Sequence, residues 1–428
     1  GAKAVIDWLN GRATATYADG SPAVATWTTG KVGMIGKSWD GTVANGVAAT
    51  GVRGLETIVP ISAISSWYDY ARFNGGLRQE KYLEFLHQGV TGRPAKACAA
   101  TLRRLNTASA EATGDYNAFW ANRDFRKDAG RMRASVFAVH GLNDVNVTTS
   151  QVALWWNRLA TFGVPRKIWL LQAGHVDPFD IRRAAWVNTL HRWFDFYLQG
   201  LPNGIDREPQ ATIQTAPGIW VNQPTWPAPG ARQVRVSLGN GNGRTGTLGG
   251  APAGGNRTWK DNQDLEGDIE VMRPKAQVAG RVVFLSRPLP AAIRISGIPQ
   301  VTLRVSVNKP TTQLTARLVD YGRATRVNYL GAEEGIKTLT TQSCWGASTT
   351  ADDACYRNTA EDVVTNDFAI LTRGWQDAAH RVSLRFRTPL VPGRWYTINV
   401  PLQATHQTVR KGHVLGRVLQ QSDTDYAV

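Results

Sequence analysis

The sequence predicts an α/β domain with a largely parallel sheet, followed by a separate β-sandwich domain. From residue 1 to about residue 200, short apolar runs alternate with longer segments of helical periodicity, which is typical of a parallel sheet flanked by helices. Beyond residue 200 the chain is rich in Pro and Gly and carries short segments that alternate apolar with polar residues. Because 428 residues exceed one ordinary domain, we predict two domains, at 1–200 and 201–428.

Three apolar runs in the first domain predict strands of the parallel sheet, and they are 32–35, 135–139 and 167–171. Each is followed by a Gly-containing turn and then by polar residues. In open α/β sheets this carboxyl edge is where ligands bind. From about residue 61 to residue 131 the patterning is helical without a clear strand, which is long for a connection in such a sheet. We therefore predict a helical cap inserted over the active edge.

Helices around the sheet are predicted at residues 2–9, 148–161 and 181–198. In the second of these segments Val152, Trp155, Trp156 and Leu159 fall on one side. An apolar or aromatic stripe at helical spacing is typical of core packing.

The second domain contains segments with the period of half-buried antiparallel strands, and they are 233–238, 301–307, 314–319, 381–386 and 395–400. The change of composition that precedes them begins with LPNGIDREP, which is typical of a domain boundary. Many short alternating strands predict a β-sandwich, and a jelly roll is the form that we expect.

Charge and hydropathy exclude two classes of partner. Lys and Arg outnumber Asp and Glu by 49 to 33, which gives a net charge of +16. The basic residues are scattered, whereas a nucleic-acid footprint concentrates them on one face, so we predict no nucleic-acid partner. No apolar run approaches the roughly 18 residues that cross a bilayer, so we predict no membrane span.

Cys344 and Cys355 lie close together in a loop-like stretch rich in Ser, Thr, Ala and Asp, which predicts a local disulfide. Two thiols cannot supply the four ligands of a structural zinc site, and the chain has no H-E-x-x-H or comparable spacing. We therefore expect neither a metal nor another cofactor. A disulfide favours a secreted or cell-surface protein, with a cytoplasmic location as the alternative.

The candidate nucleophile is Ser38, in the segment GMIGKSWDG at residues 33–41. A strand runs here into small residues around a serine and then into helix-like sequence. A nucleophile on a tight strand-to-helix turn needs small neighbours, and Gly36 and Gly41 meet that need. The pattern departs from G-x-S-x-G because Asp40 occupies the second position after the serine. A helix-capping serine is the alternative interpretation.

A serine nucleophile requires a base that is oriented by an acid. Asp144 follows one predicted strand in HGLNDVNV, and His175 follows the next in AGH. The order Ser, Asp, His along the chain is that of the α/β-hydrolases. We therefore predict an α/β-hydrolase domain with Ser38, Asp144 and His175 as its catalytic triad, and with the N–H group of Trp39 as an oxyanion donor. His140 precedes the acid and is interpreted as structural.

Several segments together resemble the Xaa-Pro dipeptidyl-peptidase family, and they are VIDWLNGRATA, GKVGMIGKSWDGT, ISSWYDYARFNGG, TGDYNAFWANRDF and HGLNDVNVT. The resemblance continues into LSRPLPAAIRISGIPQVTLRVSVNKP, which is similar to that family's C-terminal jelly roll. It implies a serine exopeptidase that acts on peptides with proline at the second position. Trp67, Tyr70 and Asn146 match positions associated with the substrate pocket, and aromatic core packing is the alternative for the two rings. For the oligomeric state, we consider a homodimer.

The same resemblance implies a segment ahead of residue 1. Members of the family carry an N-terminal portion with early strands and a tyrosine that completes the oxyanion hole. We expect this chain to be a fragment that starts after that portion. The fragment would expose an unpaired strand edge.

Two other functions are weighed against the peptidase. A cocaine esterase-like or acylase-like hydrolase shares the triad, cap and jelly roll but cleaves esters or acyl amides. The second alternative is a glycan-binding β-sandwich module in an inactive fragment. Tryptophans of that domain would favour it, but they form no readable pattern in the sequence.

Overall fold

The computed structural model describes residues 1–91, 95–424 and 426. The α-helices are α1 (Ala2–Leu9), α2 (Trp39–Ala49), α3 (Trp67–Ala71), α4 (Tyr82–Thr91), α5 (Ala95–Ala108), α6 (Ala118–Ala121), α7 (Ser150–Thr161), α8 (Arg183–Phe194) and α9 (Gly267–Glu270). Short 3₁₀ turns cover Phe125–Arg131, Pro178–Asp180, Ile205–Arg207 and Ala378–His380, and a π-helical turn covers Asp195–Gln199. In the part of the chain that is described, no helix is long and apolar enough to cross a membrane.

The strands in chain order are β1 (Ala15–Thr16), β2 (Pro22–Ala23), β3 (Val32–Lys37), β4 (Leu55–Ile61), β5 (Arg72–Phe73), β6 (Gly76–Leu77), β7 (Ser135–Gly141), β8 (Arg166–Leu171), β9 (Ala211–Ala216), β10 (Ile219–Gln223), β11 (Thr245–Thr247), β12 (Arg281–Leu285), β13 (Ile293–Gly297), β14 (Gln300–Ser306), β15 (Gln313–Val327), β16 (Ile336–Cys344), β17 (Cys355–Glu361), β18 (Val363–Asp377), β19 (Trp395–Pro401), β20 (Thr405–Val409) and β21 (Val414–Gln420).

The contacts of the chain divide it into two compact units. Unit 1 comprises Gly1–Ser65, Phe125–Pro229 and Thr325–Thr365. Unit 2 comprises Ser66–Asp124, Gly230–Ala324 and Asn366–Val428. A segment of the second half of the chain, Thr325–Thr365, thus packs in unit 1, and the domain boundary at residue 200 stays a prediction.

The main sheet of unit 1 has six strands in the order β10-β9-β8-β7-β4-β3. Strands β3, β4, β7, β8 and β9 pair in parallel, and β10 pairs with β9 in antiparallel orientation. Every residue of β7 is buried, as expected of a central strand with both faces covered. The carboxyl ends of β3, β7 and β8 consequently lie at one edge of one sheet.

Aromatic side chains fill the core between this sheet and α8. Phe137 of β7 lies 5.3 Å from Trp186 and 5.3 Å from Trp193, measured between ring centroids. Trp169 of β8 packs 5.5 Å from Trp186. These aromatic side chains of α8 are therefore core, and they pack the helix against β7 and β8.

Residues Thr325–Thr365 also belong to unit 1. They form an antiparallel hairpin of β16 and β17, in which Cys344 lies opposite Cys355. Thr359 donates its hydroxyl to the carbonyl of Asp180 at 2.7 Å, and Arg183 donates to the carbonyl of Arg357 at 2.7 Å. The hairpin thus packs on the chain segment that follows β8.

Unit 2 contains the inserted helices α3 to α6 together with most of the strands beyond residue 230. A five-stranded sheet has the order β11-β12-β21-β15-β18, and β13-β20 and β14-β19 form two antiparallel pairs. Side chains of the sheet, such as Leu318, and of the pairs, such as Val400, share one apolar core. This arrangement of two strand layers around a core agrees with the expected sandwich, and the jelly-roll assignment stays a prediction.

Two predicted strands are absent from the described structure. Residues 233–238 and 381–386 adopt no strand. Val234 is 79% exposed and Val382 is 66% exposed, so these two apolar side chains do not face a core, although Leu238 at the end of the first segment packs against one. Alternation alone was insufficient here because a strand also requires a partner and a buried face.

The sheet also extends past the predicted domain boundary. Strand β9 pairs in parallel with β8, with Ile168 opposite Ala211 and Leu170 opposite Ile213. The insertion likewise contains the short hairpin of β5 and β6, which the helical patterning did not predict.

Candidate active site

Ser38 occupies the turn between β3 and α2 in a strained backbone conformation. Its φ of 56° and ψ of −115° are uncommon for a residue other than glycine. Its N–H group donates to the carbonyl of Ile61 at 2.8 Å, and its carbonyl accepts from the N–H of Thr42 at 2.9 Å. These bonds tie the turn to the end of β4 on one side and to α2 on the other, which is the geometry of a nucleophile elbow.

The glycines around Ser38 are required by close packing of backbone. A Cβ atom at Gly36 would lie 2.5 Å from the Cβ of Asp40, and one at Gly41 would lie 2.5 Å from the carbonyl oxygen of Gly36. The side chain of Asp40 is exposed. The elbow therefore accepts a larger residue at the second position after the serine and needs glycine at the third, which explains the departure from G-x-S-x-G.

Asp144 and His175 follow the neighbouring strands β7 and β8 and are hydrogen-bonded to each other. The distance from Nδ1 of His175 to Oδ2 of Asp144 is 2.6 Å. The other oxygen of Asp144 accepts the backbone N–H groups of Asn146 at 2.9 Å and Val147 at 2.8 Å. The carboxylate is fully buried, whereas the ring of His175 is 11% exposed. A carboxylate oxygen accepts and an imidazole N–H donates, so this pairing places the proton of a neutral His175 ring on Nδ1 and leaves Nε2 as its basic nitrogen.

Ser38, Asp144 and His175 all follow parallel strands of the same sheet in unit 1. Within the sheet order the strands that carry them are β3, β7 and β8, with β4 between β3 and β7. The three residues therefore follow strands at the carboxyl edge of one sheet, and their catalytic roles stay a prediction.

His140 lies in β7 and is fully buried. Its Nε2 lies 2.7 Å from the carbonyl oxygen of Val147, so Nε2 donates the proton and the ring is neutral. Burial lowers the pKa of His140 below its ordinary value, despite the carboxylate of Asp144 at 3.8 Å. A neutral, enclosed ring that donates to the backbone supports the structural interpretation of this residue.

A metal centre finds no support among residues 1–91, 95–424 and 426. In that part of the chain no group of three or more His, Cys, Asp or Glu side chains is arranged to hold a metal ion.

Two family models match the chain. Residues 1–177 match the X-Pro dipeptidyl-peptidase (S15 family) model. Residues 203–428 match the model of the X-Pro dipeptidyl-peptidase C-terminal non-catalytic domain, which is more than half of the chain.

The chain belongs to the X-Pro dipeptidyl-peptidase (S15) family.

Curated relatives of the S15 chain carry the name "Putative Xaa-Pro dipeptidyl-peptidase". The protein of Streptomyces avermitilis is 47% identical over 427 residues, which cover 99% of this chain and 63% of the relative. The protein of Bacillus anthracis is 36% identical over 438 residues, which cover 100% of this chain and 65% of the relative. The chain thus spans less than two thirds of the length of these two relatives.

A solved structure of an α-amino acid ester hydrolase also resembles the S15 chain. It has a TM-score of 0.66 and 17% identity, and the match covers 98% of this chain and 72% of that one. Identity at this level shows the fold alone. The fold is therefore an α/β-hydrolase catalytic domain with a strand-rich, non-catalytic C-terminal domain.

Trp67 and Tyr70 lie together on α3 in unit 2. Their rings meet edge to face with centroids 5.8 Å apart. Tyr70 is 5% exposed, its hydroxyl accepts from that of Tyr82 at 3.1 Å, and the guanidinium of Arg78 lies 4.9 Å from its ring centre. Trp67 and Tyr70, the two residues matched to the substrate pocket, therefore belong to one aromatic cluster in the insertion. The helix that carries them, α3, is capped at its N-terminus by Ser66.

Trp39 and Asn146 lie in unit 1, and the predicted substrate-pocket role of Asn146 stays a prediction. Trp39 is the first residue of α2, where the positive end of the helix dipole lies. Asn146 is two residues beyond Asp144, and its N–H group binds that carboxylate. Asn146 therefore helps to hold the acid, which the sequence did not indicate.

Cys344 and Cys355 form a disulfide at the tip of the β16–β17 hairpin. At the base of this hairpin stands Glu334, which the sequence analysis missed. Its carboxylate accepts the backbone N–H of His175. Nothing in the segment GAEEGIK signals such a contact, because Glu334 follows His175 by 159 residues.

Proposed function

We propose that this chain is a serine exopeptidase that releases N-terminal Xaa-Pro dipeptides through an acyl-enzyme on Ser38. The observation that carries the proposal is the buried Asp144–His175 pair at the sheet edge that also bears the strained Ser38. Family membership supports the choice of a peptide substrate with proline at the second position. The reaction needs no cofactor, because the three side chains supply nucleophile, base and orienting acid.

In the proposed mechanism His175 accepts the hydroxyl proton of Ser38 at Nε2. The serine oxygen attacks the carbonyl carbon of the proline residue, and the N–H of Trp39 donates to the oxyanion that develops. His175 then gives the proton to the departing amine. Water, deprotonated by the same ring, attacks the acyl-enzyme and releases the dipeptide, which restores Ser38. Asp144 keeps the ring in the tautomer with Nδ1 protonated and stabilises the imidazolium.

For proline selectivity we propose an aromatic slot that uses Trp67 and Tyr70. A pyrrolidine ring presents flat apolar surface, and tryptophan and tyrosine offer large rigid faces to it. The edge-to-face pair at 5.8 Å supports this choice, since each ring restrains the other. The alternative is that Trp67 and Tyr70 only pack the core of the insertion. Substitution of Trp67 distinguishes a role in substrate binding from a role in packing.

The decisive experiment compares Ala-Pro p-nitroanilide with a simple aryl acetate. We expect a kcat/KM at least about 100-fold higher for the Ala-Pro substrate, and no turnover of it by Ser38→Ala beyond background. In Trp67→Ala we expect a selective loss of Ala-Pro hydrolysis by about tenfold or more, corresponding to about 1.4 kcal/mol of lost aromatic contact. Trp27→Ala is the matched control, because Trp27 is 75% exposed in unit 1.

The second candidate is an ester or acyl-amide hydrolase of the cocaine esterase or acylase type. The fold likeness to an α-amino acid ester hydrolase is the observation that favours it. A large preference for the aryl ester over the Ala-Pro anilide would replace the peptidase proposal by this one. Trp395 of the β domain is 42% exposed, so the glycan-binding module stays an alternative.

We also propose that the chain works in an oxidising compartment, as a secreted or cell-surface protein. The Cys344–Cys355 disulfide supports this location, because such bonds persist mainly outside the reducing cytosol. Alkylation of free thiols in the native host before lysis tests it. Both cysteines should resist alkylation until a reductant is added, and alkylation without reductant would favour the cytoplasmic alternative.

A further inference from the structure

Glu334 closes a tight turn immediately before β16. Its N–H donates to the carbonyl of Gly331 at 2.8 Å, and its φ of 53° is followed by a φ of 110° at Gly335. A side chain held in the left-handed region is uncommon and persists where surrounding contacts fix it. The conformation therefore directs attention to what Glu334 contacts.

Glu334 binds two consecutive N–H groups of the loop that carries His175. Its carbonyl accepts the N–H of Gly174 at 2.9 Å, and its carboxylate accepts the N–H of His175. The carboxylate packs so closely on Gly174 that a Cβ atom there would overlap with it. One residue thus holds the backbone of the candidate base by its main chain and by its side chain.

The opposite side of this loop packs on the turn after β7. The carbonyl of Ala173 accepts the N–H of Asn143 at 3.2 Å, and the N–H of Leu142 donates to Leu171 at 2.6 Å. Gly141 has no space for a Cβ atom, because the carbonyl of Gly174 occupies it. The loop therefore lies between the turn that bears Asp144 and the turn that bears Glu334.

The turn of Glu334 is itself anchored within unit 1. The N–H of Asp362 donates to the carbonyl of Gly335 at 2.9 Å, and the N–H of Asn328 donates to the carbonyl of Asp362 at 2.8 Å. Val327 packs with Ala173 and Val176 in a small apolar cluster. These contacts hold the turn from the end of β15 and from the residue between β17 and β18, so Glu334 can act as a rigid support.

We propose that Glu334 is a positioning residue for His175. The inference rests on the proposed function of His175 as the base. Asp144 fixes the rotation and tautomer of the imidazole through Nδ1, but the place of the ring also depends on the backbone that carries it. Glu334 fixes that backbone. Because misplacement of a catalytic group by about 1 Å costs about 100-fold in rate, loss of the carboxylate lowers turnover without changing substrate affinity.

The test measures kcat and KM for Ala-Pro p-nitroanilide in two variants of Glu334. We expect Glu334→Ala to lower kcat by about 10- to 100-fold with KM changed less than about threefold. Glu334→Gln keeps an oxygen acceptor at the same place, so it should retain kcat within about threefold. A kcat of the alanine variant within threefold of the parent, or an equal loss in both variants, overturns the proposal.

Glu361→Ala is the matched control from the same hairpin. Glu361 accepts from the side chain of Gln214 at 2.6 Å and from the N–H of Gly218 at 2.8 Å, so it anchors β9 and the turn after it. Its loss should leave kcat within about threefold. A kcat loss in this control equal to that of Glu334→Ala would show general loosening of the hairpin and would overturn the proposal.

Gly174→Ala provides a second route if Glu334→Ala does not fold. The added methyl group displaces the carboxylate, so we expect kcat to fall at least about tenfold. The double variant should be no slower than Glu334→Ala alone, because both changes remove the same contact. Full activity of Gly174→Ala would contradict the contact.

A fluorophosphonate probe separates this inference from the proposed substrate. Covalent labelling of Ser38 requires the base but no proline pocket. If the probe labels the parent chain but the chain does not cleave the Ala-Pro anilide, the proposed substrate is wrong. Slower labelling of Glu334→Ala, but not of Glu361→Ala, would still support the positioning role of Glu334. Equal labelling rates in parent and Glu334→Ala overturn it.

Discussion

Replacement of Asp144 by asparagine tests the core of the proposed site. The side chain keeps its shape, and its oxygen can still accept the N–H groups of Asn146 and Val147, which now lie at 2.9 and 2.8 Å. The amide nitrogen would instead face Nδ1 of His175, where a carboxylate oxygen now lies at 2.6 Å. An amide N–H donates, so Nδ1 must become the acceptor and Nε2 takes the proton.

That tautomer cannot accept a proton from Ser38. We expect kcat for Ala-Pro p-nitroanilide to fall by about 10⁴-fold, which corresponds to about 5.4 kcal/mol at about 1.36 kcal/mol per factor of ten. The fold should persist, because the two backbone bonds to residue 144 remain. Steady-state kinetics and a thermal unfolding curve of the same preparation measure both quantities.

Asp320→Asn is the matched control. Asp320 is also a buried aspartate paired with a histidine ring, at 2.8 Å from Nδ1 of His413, but it lies in the β domain of unit 2. The same chemical change there should lower stability and leave kcat within about threefold. The reasoning is refuted if Asp144→Asn keeps kcat within tenfold of the parent, or if Asp320→Asn loses as much activity.

Three further outcomes are expected. Gly41→Ala should destabilise the protein by about 1–3 kcal/mol, because its Cβ would lie 2.5 Å from the carbonyl oxygen of Gly36. Urea unfolding measures this loss. Gly89→Ala is the control and should not destabilise the protein, because Gly89 lies in a helix with open space around it. Burial by itself lowers the pKa of His380, but hydrogen bonds to Asp377 and Asp115 outweigh it and raise the pKa. Its stabilisation is therefore complete below about pH 6.5 and declines as the pH rises through the higher folded pKa. The stability advantage of the parent over His380→Gln should accordingly shrink as the pH rises above about 6.5, and parallel curves would contradict this. Removal of the disulfide in Cys344→Ser/Cys355→Ser should lower the free energy of unfolding by about 2–3 kcal/mol, whereas Cys98→Ser, at a cysteine that is free, should change it little; an unchanged midpoint in the double variant would argue against the bond.

The sequence predicted the parts of the fold that depend on local patterns. Strands β3, β7 and β8 and the residues after them follow from apolar runs that end in small and polar residues. Asp144 and His175 meet because consecutive strands of a parallel sheet commonly pair. The strained turn at Ser38 follows from the glycines that flank it. Each of these inferences uses residues that are close in sequence.

Contacts between distant segments were not predictable in the same way. Strand β9 belongs to the parallel sheet although it follows the Pro-rich boundary near residue 200, because pairing with β8 outweighs local composition. Segment 233–238 has strand-like alternation but exposes Val234 and Val236. Glu334 is ordinary in its local sequence, and its significance arises only where β16 begins beside the His175 loop. No period or motif encodes that contact.

Residues 325–365 belong to unit 1 although they lie in the second half of the chain. This limits how the two halves can be exchanged between related proteins, in evolution or by engineering. The S15 model ends at residue 177 and its partner model begins at residue 203, which invites swapping of the two halves as modules. A chimera joined near residue 200 would bring a foreign residue 334 against the loop of His175. A chimera joined there should therefore be active mainly when both source proteins have a β16–β17 hairpin that fits the His175 loop in the same way. The second half of the chain thus constrains which changes the first half can accept.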